Sequence, residues 1–222
     1  MHILITAGNT QAPIDRVRCI TNIFTGRTGA AIAEKAWQRG HTVLVLTSHP
    51  ETVPDSPPTR WAMQTYRTFD DLHELMAAHI PDGGFDAIIH CAAVSDYRVA
   101  GLYGADRTSP LAPVGKLKSD RPEMWLRLFR APKLIDFVRT EWRFRGVLVK
   151  FKLEVGIGDD ALLSIAESSR RHSDADLMVA NTLEGAADWA LLGPIAGRYE
   201  RIKRPDLADR LLDAVTAVHE GR

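Results

Sequence analysis

The stretch from Met1 to Gly29 constrains the fold more than any other. His2-Ile3-Leu4-Ile5-Thr6-Ala7 is a short apolar run with no helical period, which predicts a buried strand. Gly8-Asn9-Thr10 breaks it. After Ile14 to Asn22 and Thr25-Gly26-Arg27-Thr28-Gly29, a helical pattern runs from Ala30 to Arg39. A strand that feeds a glycine-containing loop and then a helix builds an anion site. The first helical N–H groups have no partner, and the helix dipole puts about half a positive charge beside them. The chain therefore opens with the parts of a nucleotide or phosphate site. The bland reading is a glycine turn that holds no ligand.

The rest of the chain repeats the theme. Apolar strand runs recur at Thr42 to Thr47, Asp86 to Cys91, Gly146 to Leu153 and Ala175 to Ala180, with a weaker one over Trp61 to Tyr66. Helical spacing marks Phe69 to His79, Lys133 to Trp142, Ala161 to His172 and Leu207 to Glu220. Strands alternating with helices predict an α/β chain: a three-layer, Rossmann-like fold with a mostly parallel sheet and helices on both faces. Ligands in such sheets sit outside the carboxyl ends of the strands. Gly8, Asp96, Phe151 and Asn181 are expected there. Residues 48–59 carry four prolines and read as a loop. Residues 100–122 read as a longer, flexible loop of the kind usually kept for function. One domain over 1–222 accounts for the length.

Charge and cysteine usage exclude some classes. A formal net charge of zero argues against a protein that coats nucleic acid or an anionic membrane. Cys19 and Cys91 form no CxxC pair and lie near no histidine cluster, so no metal site is expected. No apolar run approaches the roughly 20 residues that span a bilayer, and no basic segment precedes an apolar leader. The expectation is a soluble, cytoplasmic protein. No serine, histidine and acid combination stands out for nucleophilic catalysis.

Five short motifs carry chemistry, each against a plainer reading. Gly8 to Gly29 fails as a dinucleotide fingerprint, because no G-x-G-x-x-G follows the strand and strand two ends in Thr47-Ser48-His49 without an acid. In Ala92-Ala93-Val94-Ser95-Asp96-Tyr97, small residues let a ligand approach, and Asp96 is either an acceptor or a turn cap. In Gly115-Lys116-Leu117-Lys118, a lysine either closes over a polyphosphate or sits solvated on a surface loop. In Val149-Lys150-Phe151-Lys152-Leu153-Glu154, Phe151 stacks on a base or the strand simply runs into solvent. In Asp176 to Asn181, Asn181 supplies an amide to a ligand or ends a strand in a turn.

Taken in order, these motifs resemble the phosphopantothenate–cysteine ligase family. The likeness rests on Ile5-Thr6-Ala7-Gly8-Asn9-Thr10, on Pro13-Ile14-Asp15 with Val17-Arg18, Ile20 and Asn22, and on Thr25-Gly26 with Gly29. Ala92 to Tyr97, Lys116 to Lys118, Phe151 to Glu154 and Val179-Ala180-Asn181 follow at similar spacing, and Ile202 to Leu211 resembles the family's end. The resemblance covers essentially the whole chain and is to the stand-alone type. It implies a ligase of coenzyme A biosynthesis that joins 4′-phosphopantothenate to cysteine with CTP or ATP and Mg²⁺, through an acyl-nucleotidylate and release of pyrophosphate. It implies a homodimer with sites completed across the interface. Asn22 would act on the acyl intermediate and Lys116 would close over the triphosphate. Gly8, Arg18, Gly26, Ala92, Ala93, Asp96, Lys118, Pro132, Lys133, Leu134, Ile135 and Phe151 would bind nucleotide and substrate.

The chain departs from the family pattern at several positions. Asn9 replaces a glycine in the first turn, and asparagine tolerates positive φ. Ala131-Pro132-Lys133 stands where an Asn-Pro-Asp run is common, and Val155 where a threonine is. Ser168 and Ser169, then Arg170-Arg171, stand where one or two lysines usually face the triphosphate. Two alternatives stay open on sequence grounds: a non-catalytic nucleotide- or phosphopantetheine-binding protein, and a Rossmann-type oxidoreductase. The second lacks its Tyr-x-x-x-Lys pair, since Tyr97 is followed four residues on by Gly101 and Tyr103 by Arg107.

Overall fold

The computed structural model describes residues 1–54, 59–111, 115–118 and 120–222. The elements run β1 (His2–Ala7), β2 (Gln11–Pro13), β3 (Cys19–Thr21), α1 (Arg27–Gln38), β4 (Thr42–Thr47), β5 (Trp61–Thr65), α2 (Phe69–His79) and β6 (Ala87–His90). Next come β7 (Tyr97–Tyr103), β8 (Pro110–Leu111), β9 (Trp125–Arg130), α3 (Leu134–Thr140) and β10 (Val147–Glu154). The chain closes with α4 (Asp159–His172), β11 (Leu177–Thr182), β12 (Trp189–Ile195), β13 (Arg198–Lys203) and α5 (Leu207–Glu220). Eight strands make one sheet in the order β13-β12-β11-β10-β6-β1-β4-β5. Neighbours from β11 to β5 pair in parallel, and β12 and β13 add an antiparallel edge.

The apolar runs explain the sheet. β1, β4, β6 and the first half of β10 are buried on both faces, so they carry continuous apolar sequence rather than alternation. Successive side chains still part to opposite layers. Ile3, Ile5 and Val149 pack with Ile32 of α1 and with Leu211 and Val215 of α5. Leu4, Ile88 and Leu148 pack with Met76 of α2 and Val138 of α3. On that second face α4 also seats Leu162 and Ala166 against Met178 and Ala180 of β11. Helices therefore cover both faces, as the sequence predicts. Each fully buried aliphatic side chain contributes about 1.5–3 kcal/mol.

From β1 the chain steps outward to β4 and β5, then returns to place β6 on the other side of β1. That reversal opens a crevice outside the carboxyl ends of β1 and β6, the usual ligand position in such sheets.

Several expectations need correction. Helix α1 starts at Arg27, three residues earlier than expected, because Gly26 turns the chain immediately before it. Phe151 and Asn181 lie inside β10 and β11 rather than beyond them. Part of the loop expected over 100–122 is ordered backbone: β7 continues to Tyr103 and pairs antiparallel with β8 and β9. Residues 112–114 and 119 of that loop, and 55–58 of the proline-rich loop, lie outside the described residues. The β2–β3 ribbon and the β12–β13 hairpin carried no sequence expectation. Among the described residues no helix is long and apolar enough to cross a membrane.

Candidate active site

Two glycines set the crevice. Gly8 ends β1 with φ 92° and Gly26 precedes α1 with φ 84°, both in the left-handed region. A Cβ on Gly26 would stand 2.8 Å from Gly8 Cα and press on the Gly8 nitrogen. The two turns therefore touch backbone to backbone, and the start of α1 sits against the end of β1. No side chain caps α1 and no acid lies in its first turn. Its first N–H groups lack helical partners and stay available to an anion. Arg204, after β13, brings its guanidinium to Thr28 Oγ1 at the same helix end.

Two adjoining cavities occupy the crevice. The larger, about 530 Å³, is lined by Gly8, Gly26, Thr28, Asn181 and Arg204 among others. The smaller, about 250 Å³, is lined by His90, Asp96, Pro132 to Ile135, Lys150 and Ser169. They share a wall made of Ala92, Ala93, Phe151, Lys152 and Leu153. Of the residues expected in the site, Gly8 and Gly26 line the larger cavity, and Asp96, Pro132, Lys133, Leu134 and Ile135 the smaller. Ala92, Ala93 and Phe151 border both.

Asn22, Arg18, Lys116 and Lys118 line neither cavity, and of the four a hydrogen bond ties Asn22 to the wall the cavities share. Asn22 Nδ2 donates to the Ala93 carbonyl at 2.9 Å, which holds Asn22 beside the shared wall. Asn9 fixes the ribbon that carries it. The Asn9 amide donates to the Asn22 carbonyl at 2.7 Å and to the Phe24 carbonyl at 2.9 Å. Asn9 does not take the positive φ its glycine replacement suggested; its side chain bolts the loop down instead. Asn9→Ala removes both bonds, each worth about 1 kcal/mol. The expected result is a modest fall in thermal stability and a larger fall in turnover. An unchanged turnover would mean the ribbon needs no bolt.

Arg18 and Asp15 fasten the lysine loop to the same ribbon. The Asp15 carboxylate accepts from the N–H groups of Leu117 at 3.0 Å, Val17 at 2.8 Å and Arg18 at 2.7 Å. These bonds, that of Leu117 foremost, hold the Asp15 carboxyl below the usual carboxylate range. Arg18 Nη1 donates to Asp15 at 3.0 Å and to the Leu117 carbonyl at 3.1 Å. Arg18 thus holds the loop, and Lys116 and Lys118 project from it exposed to solvent.

Charge in the smaller cavity is mostly paired. Lys133 meets Asp96 at 3.0 Å and Lys152 meets Glu154 at 2.9 Å. Arg170 and Arg171 both bind Glu167, at 2.8 and 2.7 Å, and neither lines either cavity. Arg170 above all holds the Glu167 carboxyl down at about 2. His90 contacts Thr6 Oγ1 at 2.9 Å, and burial, then Lys150, pushes its imidazole down to about 4. His90 is therefore neutral at pH 7. Burial raises the Cys91 thiol above its ordinary value. Sequence reasoning did not assign His90, Lys150 or Arg204 to the site, and it named Ser169 only as standing where a family lysine usually faces the triphosphate. Only Lys150 left a signal, a lysine at an inward position of a strand otherwise apolar from Val147 to Phe151.

The model of the DNA/pantothenate metabolism flavoprotein C-terminal domain matches residues 1–191. The chain belongs to that family. A coenzyme A biosynthesis bifunctional protein, CoaBC, of Thermococcus kodakarensis is 32% identical over 96% of this chain and 50% of its own length. The chain spans about half the length of the curated relatives it matches. Among solved structures, a DNA/pantothenate metabolism flavoprotein from Streptococcus pneumoniae is 30% identical, with a TM-score of 0.87 over 99% of this chain and 100% of that one. A Cab2 mutant in complex with phosphopantothenate-cysteine shares the fold at 18% identity, with a TM-score of 0.75 over 99% of this chain and 86% of that one. Members of this pantothenate-metabolism family thus share the mostly parallel sheet described above.

Proposed function

We propose that the chain is a phosphopantothenate–cysteine ligase of coenzyme A biosynthesis, using CTP or ATP. One observation carries the reading. Two cavities meet at one wall, and between them they are lined by ten of the twelve positions that the family resemblance assigns to nucleotide and substrate, all but Arg18 and Lys118. Relatives described as coenzyme A biosynthesis proteins, and a Cab2 structure of the same fold in complex with phosphopantothenate-cysteine, support it.

The reaction would run in two steps. The phosphopantothenate carboxylate attacks the nucleotide's α-phosphorus, which forms the acyl-nucleotidylate and expels pyrophosphate. The cysteine amine then attacks the acyl carbon, loses a proton and expels the nucleoside monophosphate. Two anions must meet in the first step, so fixed donors are what the site has to supply. The free N–H groups of α1, with Arg204, suit a phosphate in the larger cavity. Phe151 and the Pro132 to Ile135 segment suit the nucleotide in the smaller. Asn22, at the wall between them, suits the acyl oxygen. Asp96 is the carboxylate of the smaller cavity, so Mg²⁺ would be held chiefly by phosphate and water oxygens, and it would screen the triphosphate charge.

Lys116 closes over the triphosphate in this reading. Lys116→Ala should slow pyrophosphate release by about 10- to 100-fold, the worth of one charged hydrogen bond. A rate equal to the parent's would make Lys116 a surface lysine. A homodimer is part of the same proposal. Exposed Ile20 and Ile23 of the ribbon, and Leu128 and Phe129 of β9, offer apolar surface for a second copy.

Isotope transfer tests the proposed chemistry. With ¹⁸O in the phosphopantothenate carboxylate, one ¹⁸O should appear in the released nucleoside monophosphate. Label retained wholly in the amide product, or found in inorganic phosphate, would exclude the acyl-nucleotidylate route. One observation favours a non-catalytic nucleotide-binding protein instead: Arg170 and Arg171 are spent on Glu167. That reading expects no label transfer at all.

A further inference from the structure

We propose that Lys150 is the anion anchor of the smaller cavity and takes a phosphate oxygen of the bound nucleotide. The inference rests on the nucleotide reading of that cavity. Lys150 lies on β10, is 8% exposed, and lines the cavity wall. Its amine donates to the Ser169 carbonyl at 3.0 Å and to Ser173 Oγ at 2.6 Å. Both acceptors are neutral. An ammonium has three donors, so one remains for a ligand. Lys133 and Lys152, on the same cavity, are each paired with a carboxylate, whereas Lys150 is ion-paired with none among the described residues. A buried, unpaired ammonium is costly to hold, and an anion relieves that cost.

The surroundings fit an anchor rather than a strut. Ser173 relays from Lys150 to Asp136 of α3, donating to its Oδ1 at 2.8 Å, and His172 of α4 contacts the other oxygen at 3.3 Å. Asp136 supports the charge from one side. Lys133, Lys152 and the neutral His90 of β6 oppose it or leave it unrelieved. Burial pushes the Lys150 ammonium down to about 8. It is charged at pH 7 and loses its proton as pH rises through 8. A bound anion raises that value, so anion affinity should be highest below pH 8 and fall above it. The positive charge that Arg170 and Arg171 do not deliver from α4 thus comes from the strand beneath it.

Calorimetric titration of the intact chain tests the anchor. The probes are CTP and ATP with Mg²⁺, pyrophosphate, and cytidine and adenosine, each at pH 7 and pH 9.5. Lys150→Met should weaken triphosphate and pyrophosphate binding about 10- to 100-fold, leave nucleoside binding unchanged, and flatten the pH dependence. Lys150→Arg should restore part of the affinity. The unliganded methionine variant should keep its thermal stability. Equal triphosphate affinity in Lys150→Met and parent overturns the anchor and leaves the ligase reading standing. Nucleoside binding weakened as much as triphosphate binding makes Lys150 a base contact and also overturns it. A parent that binds no nucleotide overturns both readings.

Discussion

Asn22→Ala should stop product formation while nucleotide binding survives. Asn22 lies outside both cavity linings, so its removal takes nothing from the nucleotide's walls. Its amide is held by the Ala93 carbonyl at the wall the cavities share, where the acyl carbon would change from carboxylate to amide. Loss of one preorganised donor to a developing oxyanion costs about 10²–10³ in turnover. The lost hydrogen bond to Ala93 costs about 1 kcal/mol of stability, too little to unfold the chain. The readouts are turnover, nucleotide affinity and melting temperature together. Turnover within a few-fold of the parent would remove Asn22 from the chemistry.

Gly26→Ala should show the largest loss of stability among single substitutions in the site. The backbone there is at φ 84°, which costs an L-residue about 1–2 kcal/mol. The added Cβ also meets backbone rather than a yielding side chain: the Gly8 nitrogen, Gly8 Cα at 2.8 Å and the Ala7 carbonyl carbon at 3.0 Å. Steric overpacking of this kind adds about 1–3 kcal/mol. The sum, on the order of 3 kcal/mol, should appear as a lower urea midpoint at unchanged slope. Ligand binding should fall with it, because relief of the clash must move α1 away from β1. A parent-like midpoint would mean that the two turns are not in backbone contact.

The sheet and the crevice were legible because their signals are local. The runs Ile3 to Ile5, Val43 to Leu46 and Ala87 to Ile89 are apolar throughout, as a doubly covered parallel strand requires. The bounds of α2 and α5 were legible from their apolar spacing, and Thr68 with Asp71 caps α2 reciprocally. β7 and β9 were not legible, since most of their side chains are at least partly exposed and show no alternation of burial. The β12 run contains Gly193-Pro194, which reads as a strand breaker although the strand lies next to an edge strand. The candidate site was legible as an ordered set of motifs. The work of Asn9, Arg18 and Lys150 was not, because each depends on partners far off in sequence: Asn22, Leu117 and Ser169.

The central claim is that this chain makes an amide from 4′-phosphopantothenate and cysteine at the expense of a nucleoside triphosphate. The most direct measurement is pyrophosphate release with Mg²⁺ and CTP or ATP, with and without phosphopantothenate and cysteine, alongside mass detection of the product. The account predicts release that requires phosphopantothenate, with phosphopantothenoylcysteine formed only when cysteine is present. Nucleotide binding with no release under any combination would contradict it and leave a binding protein.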